Sequence, residues 1–336
     1  MTLEQTMVLL VTGGAGFIGS HFIQTTLDEM PGAVIINLDS ISYAGSTANV
    51  EDVQRRFGGS RYFFVKGDIC DRQLVHAICD GGRSEHWVGE LPAPVWIVNF
   101  AAETHVDRSI EDDSDFVRTN VMGVRTLLET ARQKRLGARG GGFFQISTDE
   151  VYGALGEAGR FCETDPMEPN SPYAATKAGA EHLVHAYHRT FGLPVRLVRG
   201  ANNYGPRQYP EKFLPVIITK ALRNEALPVY GTGRNVRDWL YVEDFCRAIR
   251  TIALYGKDGE TYNAGGDQEV RNIDLSRRVL AKLGKPESLI EFVTDRPGHD
   301  WRYAMDSSKL HALGWSPQMA LEDGLDKTIE WYASQA

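Results

Sequence analysis

A doubly wound α/β fold, with helices on both faces of a parallel sheet, is predicted by three features of this 336-residue chain. Short apolar runs alternate with amphipathic stretches over its first two-thirds, the pattern of βαβ units with right-handed crossovers. The first run leads straight into a glycine-rich turn, Thr12-Gly13-Gly14-Ala15-Gly16-Phe17-Ile18-Gly19. The second ends in Asp39, twenty residues beyond Gly19.

Taken in order, residues 8–11 (Val-Leu-Leu-Val) read as a strand buried on both faces. The glycines after it fit G-x-G-x-x-G through Gly14, Gly16 and Gly19, and G-x-x-G-x-x-G through Gly13, Gly16 and Gly19. They permit a tight turn, close approach to a pyrophosphate, and close packing of a helix starting near Phe17 whose N–H groups face the anion. Residues 34–38 form the second strand, and Asp39 at its end is placed to accept the ribose hydroxyls of NAD and to repel a 2′-phosphate. Further strands are expected at 62–65, 95–99, 143–147 and 195–198, with helices at 116–132 and 174–191. Ligands of such sheets lie beyond the carboxyl ends of the strands. Those ends carry Gly67-Asp68-Ile69, the stretch 101–107, Thr148-Asp149-Glu150 and Asn202-Asn203. Two stretches, 81–94 and 137–142, read as surface loops away from the site.

After Gly200 prolines and glycines become frequent and basic residues scatter among aromatics. The expected organisation is a Rossmann-type dinucleotide-binding domain at 1–200, to which 241–268 returns, with a helix at 241–255 and a strand at 261–264. A smaller, discontinuous α/β substrate domain takes 201–240 and 269–336.

The apolar, charged and aromatic fractions (42%, 24% and 10%) are those of an ordinary globule. The net charge of −8 argues against a bulk nucleic-acid or anionic-membrane binder. Residues 1–7 carry Glu4 and no basic region, and 8–11 is too short for a leader or a membrane span. The four cysteines make no C-x-x-C pair and are expected as free thiols of a cytoplasmic protein. His182, His185 and His188 share a helix face without an acidic or cysteine partner, so a packed face is expected there and no metal site.

Two constellations carry chemistry. Tyr173 and Lys177 are spaced four apart, in the first turns of a helix that Ser171 caps and Pro172 opens. A nearby ammonium favours the phenolate, which makes such a tyrosine a base near neutral pH. Thr148-Asp149-Glu150 adds a hydroxyl and two carboxyls at a strand end. A simple alcohol oxidation needs no such pair, so an extra proton donor and an extra base are implied.

The glycine turn, Asp39, Y-x-x-x-K and Asn203-Tyr204-Gly205-Pro206 resemble the extended short-chain dehydrogenase/reductase family. The stretches 101–110, 147–153, Gln208-Tyr209-Pro210-Glu211-Lys212, Arg237-Asp238-Trp239 and Asp295-Arg296-Pro297-Gly298-His299-Asp300 resemble its dTDP-glucose 4,6-dehydratases. UDP-sugar dehydratases share much of this pattern, so a UDP-glucose 4,6-dehydratase, or another sugar-nucleotide epimerase or dehydratase of the same fold, stays open as an alternative. The resemblance implies an NAD-dependent enzyme that oxidises a nucleoside-diphosphate glucose at C4, eliminates water across C5 and C6, and returns the hydride to C6. It implies catalytic roles for Thr148, Asp149, Glu150, Tyr173 and Lys177. For the cofactor it implies Gly13, Gly16, Phe17, Ile18, Gly19, Asp39, Ser40, Ser42, Asp68, Ile69, Ala101, Ala102, Thr104, Thr119, Tyr173, Lys177 and Asn203. For the nucleoside-diphosphate sugar it implies Thr104, Thr148, Asn202, Lys212, Phe213, Pro228, Val229, Tyr230, Arg237, Asn272, Asp295, Arg296 and His299. It further implies a homodimer paired through helices near 120–130 and after Lys177.

Overall fold

The structure, a computed structural model, describes residues 7–84 and 87–335. The N-terminal stretch read for a leader therefore lies, up to Thr6, outside the described residues. Two compact units form. The first takes the residues up to Thr148 with Ser171–Arg199 and Ile249–Tyr262; the second takes Asp149–Asn170, Gly200–Ala248 and the chain from Asn263 onward. Segment 149–170, which the sequence groups with the dinucleotide-binding domain, thus packs with the second unit.

The first unit is built on seven strands: β1 (Met7–Thr12), β2 (Ala33–Asp39), β3 (Tyr62–Lys66), β4 (Trp96–Asn99), β5 (Gly142–Thr148), β6 (Val195–Gly200) and β7 (Glu260–Ala264). Their order is β7-β6-β5-β4-β1-β2-β3, with parallel ladders joining β1 to β2 and β4, β2 to β3, and β4 to β5. The chain reverses direction across the sheet at β1 and β4, the switch point where doubly wound sheets bind ligands. Helices α1 (Phe17–Glu29), α2 (Val124–Gln133) and α3 (Pro172–Phe191) cover it. The core runs from Leu10, Ile36 and Leu38 through Ile97 and Phe143 to Leu127, Ala180 and Leu197, each essentially inaccessible. Helix α3 starts as its sequence dictates: Ser171 Oγ accepts from the Ala174 N–H (3.1 Å), Pro172 opens the first turn, and Gly192 ends the helix at φ 65°.

Three local expectations are corrected. The stretch 81–94 is not irregular: Gly82–Ser84 and Trp87–Leu91 pair as an antiparallel hairpin, pinned by the Trp87 indole N–H on the Gly82 carbonyl (3.0 Å). Its positive-φ glycines, which read as loop punctuation, supply its tight backbone. The stretch 137–142 is not wholly a surface excursion. Gly141 and Gly142 are buried, and a Cβ on Gly141 would lie 1.7 Å from the Val95 carbonyl oxygen, so these glycines let β5 begin between its neighbours. The helix expected at 116–132 is interrupted by a π-helical stretch over Val117–Gly123.

The second unit has a small sheet of its own. Val236–Tyr241 pairs parallel with Asn202–Tyr204 and antiparallel with Glu269–Arg271, while Leu227–Tyr230 pairs parallel with Ile290–Val293. Helices Phe213–Leu222, Asn272–Lys282 and Leu321–Ser334 bury Leu214, Ile217, Leu275, Val279 and Leu325 against Trp239 and Tyr241. Among the described residues no helix is long and apolar enough to cross a membrane.

Candidate active site

In the first unit the glycine turn is shaped by its neighbours. Gly13 adopts φ +70°, and a Cβ there would meet the Ala101 backbone nitrogen at 2.6 Å. A Cβ on Gly19 would lie 2.4 Å from the Gly13 carbonyl oxygen, so only glycine lets α1 pack this closely on the turn. Gly16 precedes α1 with extended backbone and no side-chain cap, and the first turn (Phe17, Ile18) carries no acidic residue. A helix N-terminus with no capping side chain and no acid in its first turn suits a pyrophosphate.

Asp39, only 7% exposed, ends β2 and accepts from the Ala15 N–H through Oδ2 and from the Ile41 N–H through Oδ1, both at 2.8 Å. Burial pushes its pKa up against those two bonds. Ile41 sits between Ser40 and Ser42 at φ 52°, a strained conformation for a β-branched residue. Strain held beside a carboxylate is the mark of a ligand-shaped turn rather than a default loop.

Asp68 follows β3 and holds the Cys70 N–H (2.8 Å) and the Arg118 guanidinium (2.5 Å). Burial opposes its charge, but these bonds win and its pKa falls. Ile69 is buried against Gly123, where a Cβ would come within 2.4 Å of its Cδ1. Ala101, Ala102 and Thr104 lie in the loop after β4, and Thr119 in the π-helical stretch.

Asn120, which periodicity gives no reason to single out, ties these pieces together. Its Oδ1 accepts from the Glu103 N–H (2.9 Å), and its Nδ2 donates to the Glu103 carbonyl and the Thr176 hydroxyl (both 3.0 Å). The loop after β4 is thereby fixed to the residue before Lys177. A π-bulge is a frequent device for re-aiming a residue at a functional site.

Tyr173 is 7% exposed, with its N–H donating to Ser109 Oγ (3.2 Å) and its ring edge-on to Phe116. Lys177 is 6% exposed, and its Nζ donates to the Ile146 carbonyl at 2.7 Å. Gln145 Nε2 reaches the same carbonyl (2.8 Å) and continues through Asn99 to Thr12, a chain of buried bonds across three strands. Burial lowers the Lys177 pKa to about 8, with Glu181 opposing. Thr148 is buried at the end of β5. On the same helix as Lys177, His185 bonds Thr261 (3.1 Å) and His188 bonds the Leu193 carbonyl (2.8 Å), so two of its three histidines have packing partners.

The second unit begins with the carboxyls. Asp149, 3% exposed, and Glu150 form a single turn, Asp149–Tyr152. Burial raises the Glu150 pKa; Arg296, Lys212 and Arg237 pull it down, and Asp300 pushes it up. A carboxylate held high by burial yet faced by cations has the properties of a base that must ionise beside an anionic ligand.

Arg237 is 5% exposed, donates to the carbonyls of Val236 (2.8 Å) and Asp300 (3.0 Å), and lies 4.4 Å over the Tyr303 ring. These hydrogen bonds go to carbonyls, and the Glu150 carboxyl is the acid whose pKa it pulls down. A buried cation bonded to carbonyls is costly to hold, and a bound anion relieves that cost. Lys212 precedes the helix Phe213–Leu222, and Asn272 opens the helix Asn272–Lys282. Asp295 Oδ1 takes His299 Nδ1 (2.6 Å) and the Arg296 N–H (2.9 Å), and Gly231 makes room for it, since a Cβ there would lie 2.7 Å from Oδ2. Burial lowers the His299 pKa, assisted by Arg296. Tyr230 is 37% exposed and edge-on to His299, while Pro228 is half-buried. Val229 is fully buried and presents no surface to a ligand. Asn202 and Asn203 each have a buried side-chain oxygen without a partner among the described residues. Such orphaned acceptors fit ligand N–H or O–H groups.

Two further groups escaped the sequence. Tyr303, 2% exposed, donates to Asp300 Oδ2, and its hydroxyl is pushed up by burial and then by Glu150. Asp300 Oδ1 takes the Asn170 amide (2.6 Å). The motif containing Asp300 marked the stretch, but only the folded contacts bring Tyr303 to Glu150.

Residues 10–328 match a family model described as GDP-mannose 4,6 dehydratase. The dTDP-glucose 4,6-dehydratase of Xanthomonas campestris pv. campestris (strain B100) is 48% identical, over 96% of this chain and 92% of that protein. The dTDP-glucose 4,6-dehydratase of Streptomyces venezuelae, solved with NAD bound, is 44% identical with a TM-score of 0.90, covering 98% of this chain and 97% of that one. The UDP-glucose 4-epimerase of Thermotoga maritima shares the fold at 28% identity and a TM-score of 0.85, covering 98% and 99%.

Proposed function

The chain belongs to the nucleotide-sugar 4,6-dehydratase family and, within it, to the dTDP-glucose 4,6-dehydratases; from that premise we propose that it converts dTDP-glucose to the 4-keto-6-deoxy sugar nucleotide with NAD as a recycled cofactor. The glycine turn, where backbone fills the Cβ positions of Gly13 and Gly19, and Asp39 at the end of β2 fit NAD. Held there by the glycine turn and Asp39, NAD would supply the hydride acceptor for oxidation at sugar C4 and, as NADH, the hydride donor for C6.

The residues do the rest. Tyr173, as phenolate beside the Lys177 ammonium, takes the proton of the 4-hydroxyl, and Thr148 hydrogen-bonds that oxygen. The resulting ketone acidifies C5–H. Glu150 takes that proton, and Asp149 protonates the 6-hydroxyl as it leaves as water. Arg237, Lys212, Arg296 and Asn272 hold the diphosphate, with Asn202, Asp295 and His299 ordering them; Tyr230 or Phe213 stacks on the base. The observation that carries the reading is the surrounding of Glu150: an acid–base carboxyl raised by burial and faced by three cations suited to a diphosphate. A 4-epimerase has no elimination to catalyse and no use for the Asp149–Glu150 pair.

The protein is a cytoplasmic homodimer in this reading, paired through the helical stretch 117–133 and α3. Val117, Met122 and Phe191, at 43%, 49% and 52% exposure, supply apolar surface for such a contact.

Incubation with dTDP-, UDP-, CDP- and GDP-glucose tests the function. The 4-keto-6-deoxy product develops a new ultraviolet absorbance in alkali, expected with dTDP-glucose at the highest kcat/KM. A higher value for another base would move the substrate, and a C4-epimerised sugar without that absorbance would overturn the dehydratase reading.

A further inference from the structure

Segment 149–170 starts at the two carboxyls and, after the turn Asp149–Tyr152, contains no helix or paired strand. A stretch this long without regular structure needs outside fastening to hold a catalytic pair in place. The fastenings converge. The Leu155 N–H donates to the Arg302 carbonyl, the Phe161 N–H to the Ala304 carbonyl, and the Asp306 N–H to the Phe161 carbonyl, each at 2.9 Å. On its other side this strip is locked to Val236, whose N–H donates to the Trp301 carbonyl (2.9 Å) and whose carbonyl accepts from the Tyr303 N–H (3.3 Å).

Arg302 reaches both neighbours with its side chain. It is 9% exposed. Its Nε and Nη2 grip Glu269 as a fork, at 2.6 and 3.1 Å, and its Nη1 donates to the Gly159 carbonyl at 3.0 Å. Glu269 stands on the strand antiparallel to Val236–Tyr241, opposite Asp238. The guanidinium thus spans from that sheet to the loop beyond the carboxyls. Its planar geometry lets one side chain make all three bonds, which a lysine cannot reproduce.

We propose that Arg302 is a positioning residue for the elimination of water: it fastens the segment carrying Asp149 and Glu150 to the small sheet and so sets the aim of both carboxyls. The proposal rests on the dehydratase reading. The redox groups Tyr173 and Lys177 stand on α3 and do not depend on this fastening.

The test uses Arg302→Lys and Glu269→Gln. In the protein without substrate, amide hydrogen exchange over residues 150–161 should quicken, while β1 to β5 keep their protection. In single turnovers on dTDP-glucose, formation of the keto-deoxy product and exchange of C5–H with heavy water should fall about 10- to 100-fold, the cost of a misplacement near 1 Å. NADH formation on C4 oxidation should keep its parental rate, so NADH accumulates. Should Arg302→Lys fail to fold, Glu269→Gln, which weakens the same fork from its other end, must give the same split. Equal loss in both steps, or in neither, overturns the positioning role while leaving the dehydratase reading intact. A parent protein that makes no keto-deoxy product overturns both.

Discussion

In the first unit the proposed groups hang from strand ends, the turns that follow them, or the opening turns of a helix: Asp39 on β2, Thr148 on β5, Tyr173 and Lys177 on α3. In the second unit most stand on a single turn, on loops, or at the starts of helices (Asp149 and Glu150, the stretch from Asp295 to Tyr303, Lys212 and Asn272), and Arg237 stands on a short strand. The redox groups are therefore held by elements whose own backbone bonds fix them. The elimination and diphosphate groups lean more on side-chain bonds, through Asp300, Asp295 and Arg237. Rigid placement suits proton and hydride traffic at one carbon, and a mutually fastened set suits a site that must take up a charged ligand.

That contrast is sharpest where the chemistry divides. Glu150→Gln and Asp149→Asn keep size but remove proton transfer, and turnover should fall about 10²–10⁴-fold. Rapid mixing should still show enzyme-bound NADH in both, because Tyr173 and Lys177 remain. In heavy water Glu150→Gln should slow exchange at C5 more than Asp149→Asn does; the opposite order would interchange the base and the acid. Tyr173→Phe should instead abolish the NADH signal along with product.

A smaller effect is expected from the buried cation. Arg237→Met removes charge-assisted bonds to the diphosphate worth about 1.5–3 kcal/mol, so KM should rise about tenfold to a hundredfold. Unchanged KM would remove Arg237 from the diphosphate site.

The same contrast explains what was legible beforehand. Gly13 and Gly19 were readable because backbone approach restricts those positions to glycine, and Asp39 because it ends the second strand at a set distance from that turn. Tyr173 and Lys177 were readable because one helix sets their spacing. Asn120 was not: its partners Glu103 and Thr176 are brought to it by tertiary packing across 17 and 56 residues. Arg302 and Tyr303 were missed for the same reason. Val229 was named through resemblance, and its burial follows from alternation along a strand. The glycines at 141–142 read as loop because a missing side chain looks alike in a turn and in a tight strand contact.

The mildest prediction concerns stability. Burial holds Lys177 near a pKa of about 8, below its ordinary 10.5. Its folded pKa is depressed, so between those values the unfolded chain binds more protons and stability rises with pH; the penalty is fully present below about 8. Lys177→Met lifts that penalty, on the order of 3 kcal/mol, while the Ile146 carbonyl keeps its bond from Gln145. Thermal melts should show the variant more stable than the parent at pH 7, with the gap closing as pH rises toward 10.5. A gap independent of pH would mean that Lys177 is charged in the fold throughout.

The most direct measurement of the whole account follows one hydrogen. Substrate deuterated at C4 is turned over by the purified protein with its bound NAD, mixed with unlabelled substrate, and the product is read by mass spectrometry and NMR. If one retained cofactor serves oxidation and reduction, the deuterium appears at C6 of the molecules that began with it at C4, and no net NADH accumulates. Deuterium lost to NADH released in step with turnover would contradict the account and leave a simple dehydrogenase.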